Sequence, residues 1–89
     1  MSHIAKDKAK LVARVRRLKG QMEAIEAAIA TAPCAEILNL VASVRGAVNG
    51  LMAELIEDHV WEHVVDAKTS SKRDEGANEL IDVVRSYLK

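Results

Sequence analysis

Residues 35–66 read AEILNLVASVRGAVNGLMAELIEDHVWEHVVD, and this stretch decides the fold. Its apolar side chains recur at alternating steps of four and three, at Ile37, Val41, Val44, Val48, Leu51 and Leu55. Steps of that size keep side chains on one face of a helix. The pattern therefore predicts a helix over residues 35–66, about 45 Å long at about 1.5 Å per residue.

A second apolar strip lies on another face of this predicted helix, interrupted by Arg45 and Asn49. Its members are Leu38, Met52, Ile56 and Val60. One neighbouring helix covers one strip, so two strips favour an additional partner, and a second copy of the chain can supply it. We expect Arg45 and Asn49 to form a polar link at the dimer centre that fixes helix register. From periodicity alone, two solvent-facing polar side chains are an equally good interpretation.

Two shorter helical patterns flank residues 35–66. The same alternating steps occur at Leu11, Val15, Leu18, Met22, Ile25 and Ile29, which predicts a helix over residues 5–30. Pro33 separates it from the next helix, because proline disfavours helical geometry in the residue before it. The polar stretch 67–73 is interpreted as a linker, and a third helix is predicted over residues 74–88. The chain is therefore predicted to be a single all-α domain, residues 1–89, built from three helices.

Length and composition narrow the class of protein further. A chain of 89 residues buries only about 60–65% of its unfolded surface, so a monomer would be marginally stable. No segment has the roughly 20 apolar residues of a membrane span, and the N-terminus does not resemble a signal peptide. The single cysteine cannot form an intrachain disulfide, which fits a reducing compartment. We expect a cytoplasmic protein that does not associate with membranes.

Positive charge is concentrated near the N-terminus although the net charge is zero. Residues 1–19 carry seven bases and one acid, whereas the rest of the chain carries six bases and twelve acids. The seven bases are Lys6, Lys8, Lys10, Arg14, Arg16, Arg17 and Lys19. This asymmetry favours a surface that binds a polyanion, and an ordinary solvated helix face is the simpler alternative.

Two histidines and one cysteine suggest a metal site. His59 and His63 are four residues apart, so on a helix they share a face, and paired imidazoles are common ligands of transition metals. Cys34 lies 25 residues before His59, about 37 Å away along one straight helix. An antiparallel dimer of the long helix would place Cys34 of one copy beside His59 and His63 of the other. Ordinary surface histidines and a small buried cysteine are the alternative interpretations.

Further candidate ligands come from the N-terminus and the acidic residues. Methionine is usually removed before serine, so the α-amine of Ser2 would stand next to the imidazole of His3. The alternative for His3 is a disordered tail residue. The acidic residues around the histidines are expected to form a mainly solvated face. Glu62 could orient a metal-binding side chain by hydrogen-bonding to it without touching the metal. These residues are Glu54, Glu57, Asp58, Glu62 and Asp66. Trp61 is expected to pack rather than to bind a ligand.

Four stretches of the sequence resemble the CsoR/RcnR family of bacterial metal-sensing repressors: RVRRLKGQ (14–21), VRGAVNGLM (44–52), DHVWEH (58–63) and VRSYLK (84–89). The resemblance covers essentially the whole chain. It implies a three-helix protomer that forms antiparallel dimers, which pair into a disc-like homotetramer. It also implies binding to operator DNA, often with a G-rich tract, upstream of efflux or detoxification genes. Metal or another effector weakens that binding.

The ligand set resembles the nickel–cobalt branch most closely, at Ser2, His3, Cys34, His59 and His63. Copper sensors of the family carry a second cysteine at the position of His63, and replacing sulfur by nitrogen shifts preference toward Ni(II) and Co(II). Zn(II) is also expected to bind. Formaldehyde sensors typically carry proline at position 2 and commonly lack the histidine matching His63. Ser2 and His63 both differ from that pattern, so formaldehyde is kept as the alternative effector and Ni(II) or Co(II) as the first choice.

The resemblance implies a repressor that binds DNA without metal and is released by Ni(II) or Co(II), which derepresses a metal efflux gene. The residues expected to contact DNA phosphates are Lys10, Arg14, Arg16, Arg17 and Lys19. The chief contacts are expected to be Arg14, Arg17 and Lys19. Metal would draw the N-terminus, through the Ser2 amine and His3, onto the long helix and disfavour the DNA-bound state. The chain is predicted not to be an enzyme. Alternatives of other classes are a small helical dimeric enzyme acting on an anionic metabolite and a purely structural bundle.

Overall fold

The computed structural model of the protein describes the backbone of residues 3–88 and the side chains of residues 8–88. It contains three α-helices, α1 (His3–Thr31), α2 (Cys34–Val60) and α3 (Ser70–Tyr87). A single π turn (Trp61–Val65) follows α2, and residues 3–88 include no strand. The predicted all-α fold of three helices is therefore confirmed.

Pro33 organises the junction between α1 and α2. The amide of Ala32 closes α1 by donating to the carbonyl of Ala28 at 2.8 Å. The carbonyl of Pro33 then accepts from the amides of Glu36 and Ile37 at 3.0 and 3.2 Å, which opens α2. Proline has no amide hydrogen to lose, so it is well tolerated at a helix start. As a result α2 begins at Cys34, one residue before the predicted start.

The long helix does not continue as an α-helix to residue 66, as the periodicity predicted. From Trp61 onward it widens into the π turn, where the amide of Asp66 donates to the carbonyl of Trp61, five residues back, at 2.9 Å. Single π turns are rare and occur frequently at functional sites. His63 lies inside this turn.

The third helix begins at Ser70, so the prediction that residues 70–73 belong to a linker is wrong. Thr69 has an extended backbone, and its side-chain oxygen accepts from the amide of Lys72 at 3.1 Å. Threonine is a good helix N-cap because it satisfies an amide that has no partner within the helix. The hydroxyl-rich stretch after Ala67 is therefore a helix start rather than an extended turn.

The helices group into two compact units, one of residues 8–52 and one that includes residues 53–88. In the first unit Leu11 and Ile25 of α1 are buried, and they are the only buried hydrophobic residues in the described part of the chain. In the second unit α3 packs on the π turn, and Asp58 and Gly76 are buried. So small a core agrees with the marginal monomer expected for this length.

Many large apolar side chains stay exposed in the single chain. On α1 they include Val15, Met22 and Ile29, and on α2 they are Leu38, Val41, Val48 and Leu55. An unpaired helix face of this kind is typical of a surface that packs on another element. Among residues 3–88, no helix has both the length and the apolar character needed to cross a bilayer.

Candidate metal centre

The structure brings His59 and His63 together. His59 is the next-to-last residue of α2 and is partly buried, whereas His63 is exposed in the π turn. Their ring centroids are 4.8 Å apart, with the ring planes inclined by 39°. The expectation that the two imidazoles share a face is confirmed. Rings this close can each contribute one nitrogen to the same metal ion, for which Zn–N bonds of about 2.0–2.1 Å set the scale.

A hydrogen bond fixes the orientation of the His59 ring. Its Nε2 lies 2.9 Å from the carbonyl oxygen of Gly76 in α3. A carbonyl oxygen only accepts, so Nε2 carries the hydrogen and donates it. A neutral imidazole has one N–H, which leaves Nδ1 of His59 with the lone pair that can bind a metal. Metal-binding histidines commonly hold the other ring nitrogen in this way.

Gly76 also contacts His63, and the amino-acid sequence alone did not identify this residue as part of the site. A Cβ on Gly76 would collide with the carbonyl oxygen of His63 and come within 2.8 Å of its carbonyl carbon and its Cβ. The backbone of α3 therefore rests directly on the π turn. The available signal was a glycine inside a short helix, which costs about 0.5–1 kcal/mol and so suggests a packing reason.

The acidic residues next to the histidines are not a solvated face, which corrects the expectation for three of them. Asp58 is only 5% exposed, and Glu54 and Glu62 are partly buried. Each of the three has one carboxylate oxygen hidden from solvent. Glu57 and Asp66 are exposed as expected. Asp58 and Glu62 directly precede His59 and His63 in the sequence, so buried or partly buried carboxyl groups adjoin both candidate ligands.

A cleft of about 750 Å³ opens between the π turn and α3, and it gives solvent access to this region. Glu62 and His63 line one side of it, and Lys72, Glu75 and Glu79 line another. The placement of Glu62 beside His63 is compatible with the predicted role of orienting a ligand. Trp61 is 44% exposed in the same turn, more than the expectation of a packed side chain implied.

Cys34 is a free, exposed cysteine at the first position of α2. Within the described residues, no group of three histidine, cysteine or acidic side chains is arranged to hold a metal ion. The described part of one chain thus supplies two paired imidazoles and needs further ligands to complete a site. Ser2 and the side chain of His3 lie outside the described residues. The donor set present, two imidazoles with one tied to a carbonyl, suits a transition metal.

The predicted DNA-binding bases of α1 fall on two faces. Lys10, Arg14 and Arg17 are spaced by four and three, so they share one face of the helix, whereas Arg16 and Lys19 share another. Arg14 is partly buried, and the other four side chains are exposed. The structure therefore does not group Lys19 with Arg14 and Arg17.

Arg45 and Asn49 are both exposed on α2 in the single chain. Their exposure fits solvent-facing residues, and it also fits residues that meet a second copy. Their role in helix register therefore stays a prediction.

Comparisons with known proteins place these features in a family. Residues 7–86 match the family model described as metal-sensitive transcriptional repressor. The chain is 50% identical over the full length of both proteins to a Serratia marcescens protein described as an uncharacterized protein in the bioA 5′ region. It is 40% identical, again over both full lengths, to the transcriptional repressor RcnR of Salmonella typhimurium.

A solved structure agrees with this result. A glutamate-to-histidine variant of the formaldehyde-responsive regulator FrmR from Salmonella enterica serovar Typhimurium matches with a TM-score of 0.87 and 41% identity. The match covers 96% of this chain and 98% of that one. From the full-length family match and these relatives, the chain belongs to the CsoR/RcnR family of metal-sensitive transcriptional repressors, which are regulators of transcription and not enzymes.

Proposed function

We propose that this protein represses transcription by binding operator DNA in its metal-free form and is released by Ni(II) or Co(II), which derepresses a metal efflux gene. The pair of imidazoles on α2 and the π turn carries the proposal. His59 and His63 lie 4.8 Å apart, and the hydrogen bond from His59 to Gly76 leaves Nδ1 available. A cytoplasmic location is part of the same proposal.

The remaining ligands come from a second copy and from the N-terminus. Cys34 of the partner supplies a thiolate, and the Ser2 amine and His3 supply two further nitrogens. One sulfur among several nitrogens suits borderline Ni(II) and Co(II) better than soft Cu(I). Zn(II) also binds such donors, so binding alone does not identify the biological signal.

Exposed apolar residues of α2 support an antiparallel pairing of two copies. Val41, Val48 and Leu55 follow Cys34 at steps of seven, and His59 comes four residues later. Residues at these spacings share a face of a helix, and all three apolar members are exposed in the single chain. A second copy lying along this face would cover them and bring Cys34 to the partner's histidines.

The positions of two polar residues fit the same pairing. The midpoint between Cys34 and His59 falls at residues 46–47, and the midpoint between Arg45 and Asn49 falls at residue 47. In an antiparallel pair with Cys34 beside the partner's His59, Arg45 therefore lies beside the partner's Asn49. A polar contact at the centre of the pair fixes its register. We propose that two such dimers associate as a homotetramer.

DNA binding is assigned to the basic residues of α1, with the face of Lys10, Arg14 and Arg17 as its main surface. Neutralising phosphates releases counterions, so affinity should fall steeply with salt. The protein can recognise a G-rich operator through the shape of the DNA as well as through contacts to base edges. Metal draws the Ser2 amine and His3 to α2 and moves the basic residues that follow. A coupling free energy of about 1–3 kcal/mol is sufficient for such a switch.

Formaldehyde is the second candidate effector, because the solved relative is named as formaldehyde-responsive. Cys34 is an exposed thiol, as a reaction with an aldehyde requires. His63 and Ser2 favour the metal, since formaldehyde sensors typically have proline at position 2 and commonly lack the histidine.

Fluorescence anisotropy on the DNA upstream of the regulated gene tests the proposal. The protein–DNA complex is titrated in turn with Ni(II), Co(II), Cu(I), Zn(II) and formaldehyde. We expect Ni(II) or Co(II) to release the DNA at the lowest free concentration, and His63→Ala to abolish the response. Release by formaldehyde alone would assign the alternative effector, and the absence of DNA binding without effector would contradict the repressor model.

A further inference from the structure

We propose that Gly76 is a positioning residue of the metal centre and that the absence of a side chain there sets the affinity for the metal. This inference rests on the proposed metal site at His59 and His63. Gly76 is on α3 and is not one of the proposed ligands. Its backbone contacts both His59 and His63.

The first contact holds the ring of His59. The Gly76 carbonyl accepts the Nε2 hydrogen at 2.9 Å in a partly buried position. This bond selects the tautomer with a free Nδ1 and limits rotation of the ring. A ligand held in one orientation binds its metal more tightly than a freely rotating one, because less freedom is lost on binding.

The second contact explains why residue 76 has no side chain. A Cβ would meet the backbone carbonyl of His63, with its carbonyl carbon and Cβ both 2.8 Å away. Real Cβ atoms do not approach this closely, and the opposing atoms are mainly backbone, so they cannot swing aside as the end of a long side chain can. Any larger residue must push α3 away from the π turn.

The two contacts act together because they involve one residue. Moving α3 away to make room for a Cβ also withdraws the carbonyl from Nε2 of His59. The ring is then free to turn, and the spacing between His59 and His63 is no longer fixed. The size of residue 76 therefore controls the geometry of both imidazoles.

The variant Gly76→Ala tests the proposal, with Gly20→Ala as the matched control because nothing lies within 4 Å of a Cβ at Gly20. Both are measured as full-length protein for helical content, oligomeric size, Co(II) affinity and Co(II) absorption spectrum. We expect Gly76→Ala to weaken Co(II) binding about 10–100-fold and to change the ligand-field bands, as loss of a ligand's supporting hydrogen bond does. Gly20→Ala should match the wild type. A folded Gly76→Ala variant with wild-type Co(II) affinity and spectrum would overturn the proposal.

A measurement on the wild type keeps the proposal testable if Gly76→Ala does not fold. Long-range ¹H–¹⁵N correlation spectra identify which nitrogen of His59 carries hydrogen, and Zn(II) serves as a diamagnetic probe. We expect Nε2–H without metal, and a metal-bound Nδ1 with Nε2–H retained when Zn(II) is added. Hydrogen on Nδ1, or Zn(II) on Nε2, would overturn the role of Gly76.

These measurements contain no DNA, so they are separate from the test of repression. A protein that binds Co(II) as expected and fails to release DNA would contradict the proposed function and leave the role of Gly76 intact. If the Gly76→Ala variant releases DNA normally and has unchanged metal affinity, the role of Gly76 is contradicted and the proposed function stands.

Discussion

The side chain of Arg14 lies over Gly50, where a Cβ would stand 3.2 Å from one terminal guanidinium nitrogen. Arg14 is accordingly half-buried against α2, whereas Arg17, on the same face of α1, is exposed. The two arginines thus differ in what they contribute. Arg14 contributes to the packing between α1 and α2 as well as to the basic face, whereas the side chain of Arg17 is exposed.

Replacing Arg17 by alanine should weaken operator binding without affecting the fold. If Arg17 neutralises one phosphate in each subunit that contacts DNA, the magnitude of the slope of log affinity against log salt falls by about 0.9 for each of those subunits. Thermal unfolding should stay close to wild type, because substitutions of exposed residues usually change stability by less than about 0.5 kcal/mol. Anisotropy titrations at several salt concentrations measure the slope.

Lys68→Ala is the matched control for charge, since it removes one exposed positive charge from the segment before α3. Its salt slope should equal that of the wild type. Equal slopes for all three proteins would exclude Arg17 from the DNA interface.

Cys34→Ala should remove the sulfur from the metal centre and leave the helices intact. Cys34 is exposed at the first position of α2, so its loss creates no cavity. The near-ultraviolet charge-transfer band between thiolate and Co(II) should disappear, and tight binding should be lost. Near-wild-type Co(II) affinity together with no such band in the wild-type protein would refute the shared site.

His3→Ala should separate metal binding from the response of DNA. His59, His63 and Cys34 remain, so the variant should retain part of its affinity for Co(II). Release of operator DNA should be lost, because the N-terminus is no longer drawn to α2. Metal-driven release equal to that of the wild type would count against the tethering step.

Thr69→Ala should destabilise the protein by about 1 kcal/mol, within a range of roughly 0.5–2 kcal/mol. The hydroxyl of Thr69 caps α3 by accepting from the amide of Lys72 at 3.1 Å, and alanine leaves that amide without this acceptor. Urea unfolding at a fixed protein concentration measures the change. Ser71→Ala is the control, as an exposed serine one residue into the helix, and it should differ little from wild type.

The helices could be predicted from the sequence because their apolar spacing follows a helical period over many residues. Pro33 marks the one sharp boundary, and His59 and His63 meet because a spacing of four places them on adjacent turns. The start of α3 could not be predicted, since Thr69 followed by two serines reads equally well as a turn or as a helix cap. The cap hydrogen bond decides between them.

The remaining features depend on contacts between distant parts of the sequence. The π turn alters the hydrogen-bond ladder and leaves the apolar pattern unchanged, so side-chain spacing does not reveal it. Asp58 looks like one member of an acidic surface, and its burial results from packing within the second unit. Gly76 acquires its importance only where α3 meets His63.

The 27 residues of α2 set the distance between the two metal sites of the proposed dimer. The length of this helix fixes the separation of the two ions, one at each end, and its seven-residue spacing fixes their angular phase. Deleting one full heptad from this helix would shorten it by about 10.5 Å and keep the sulfur and the imidazoles on the same face. Deleting five residues would turn the two ends away from each other.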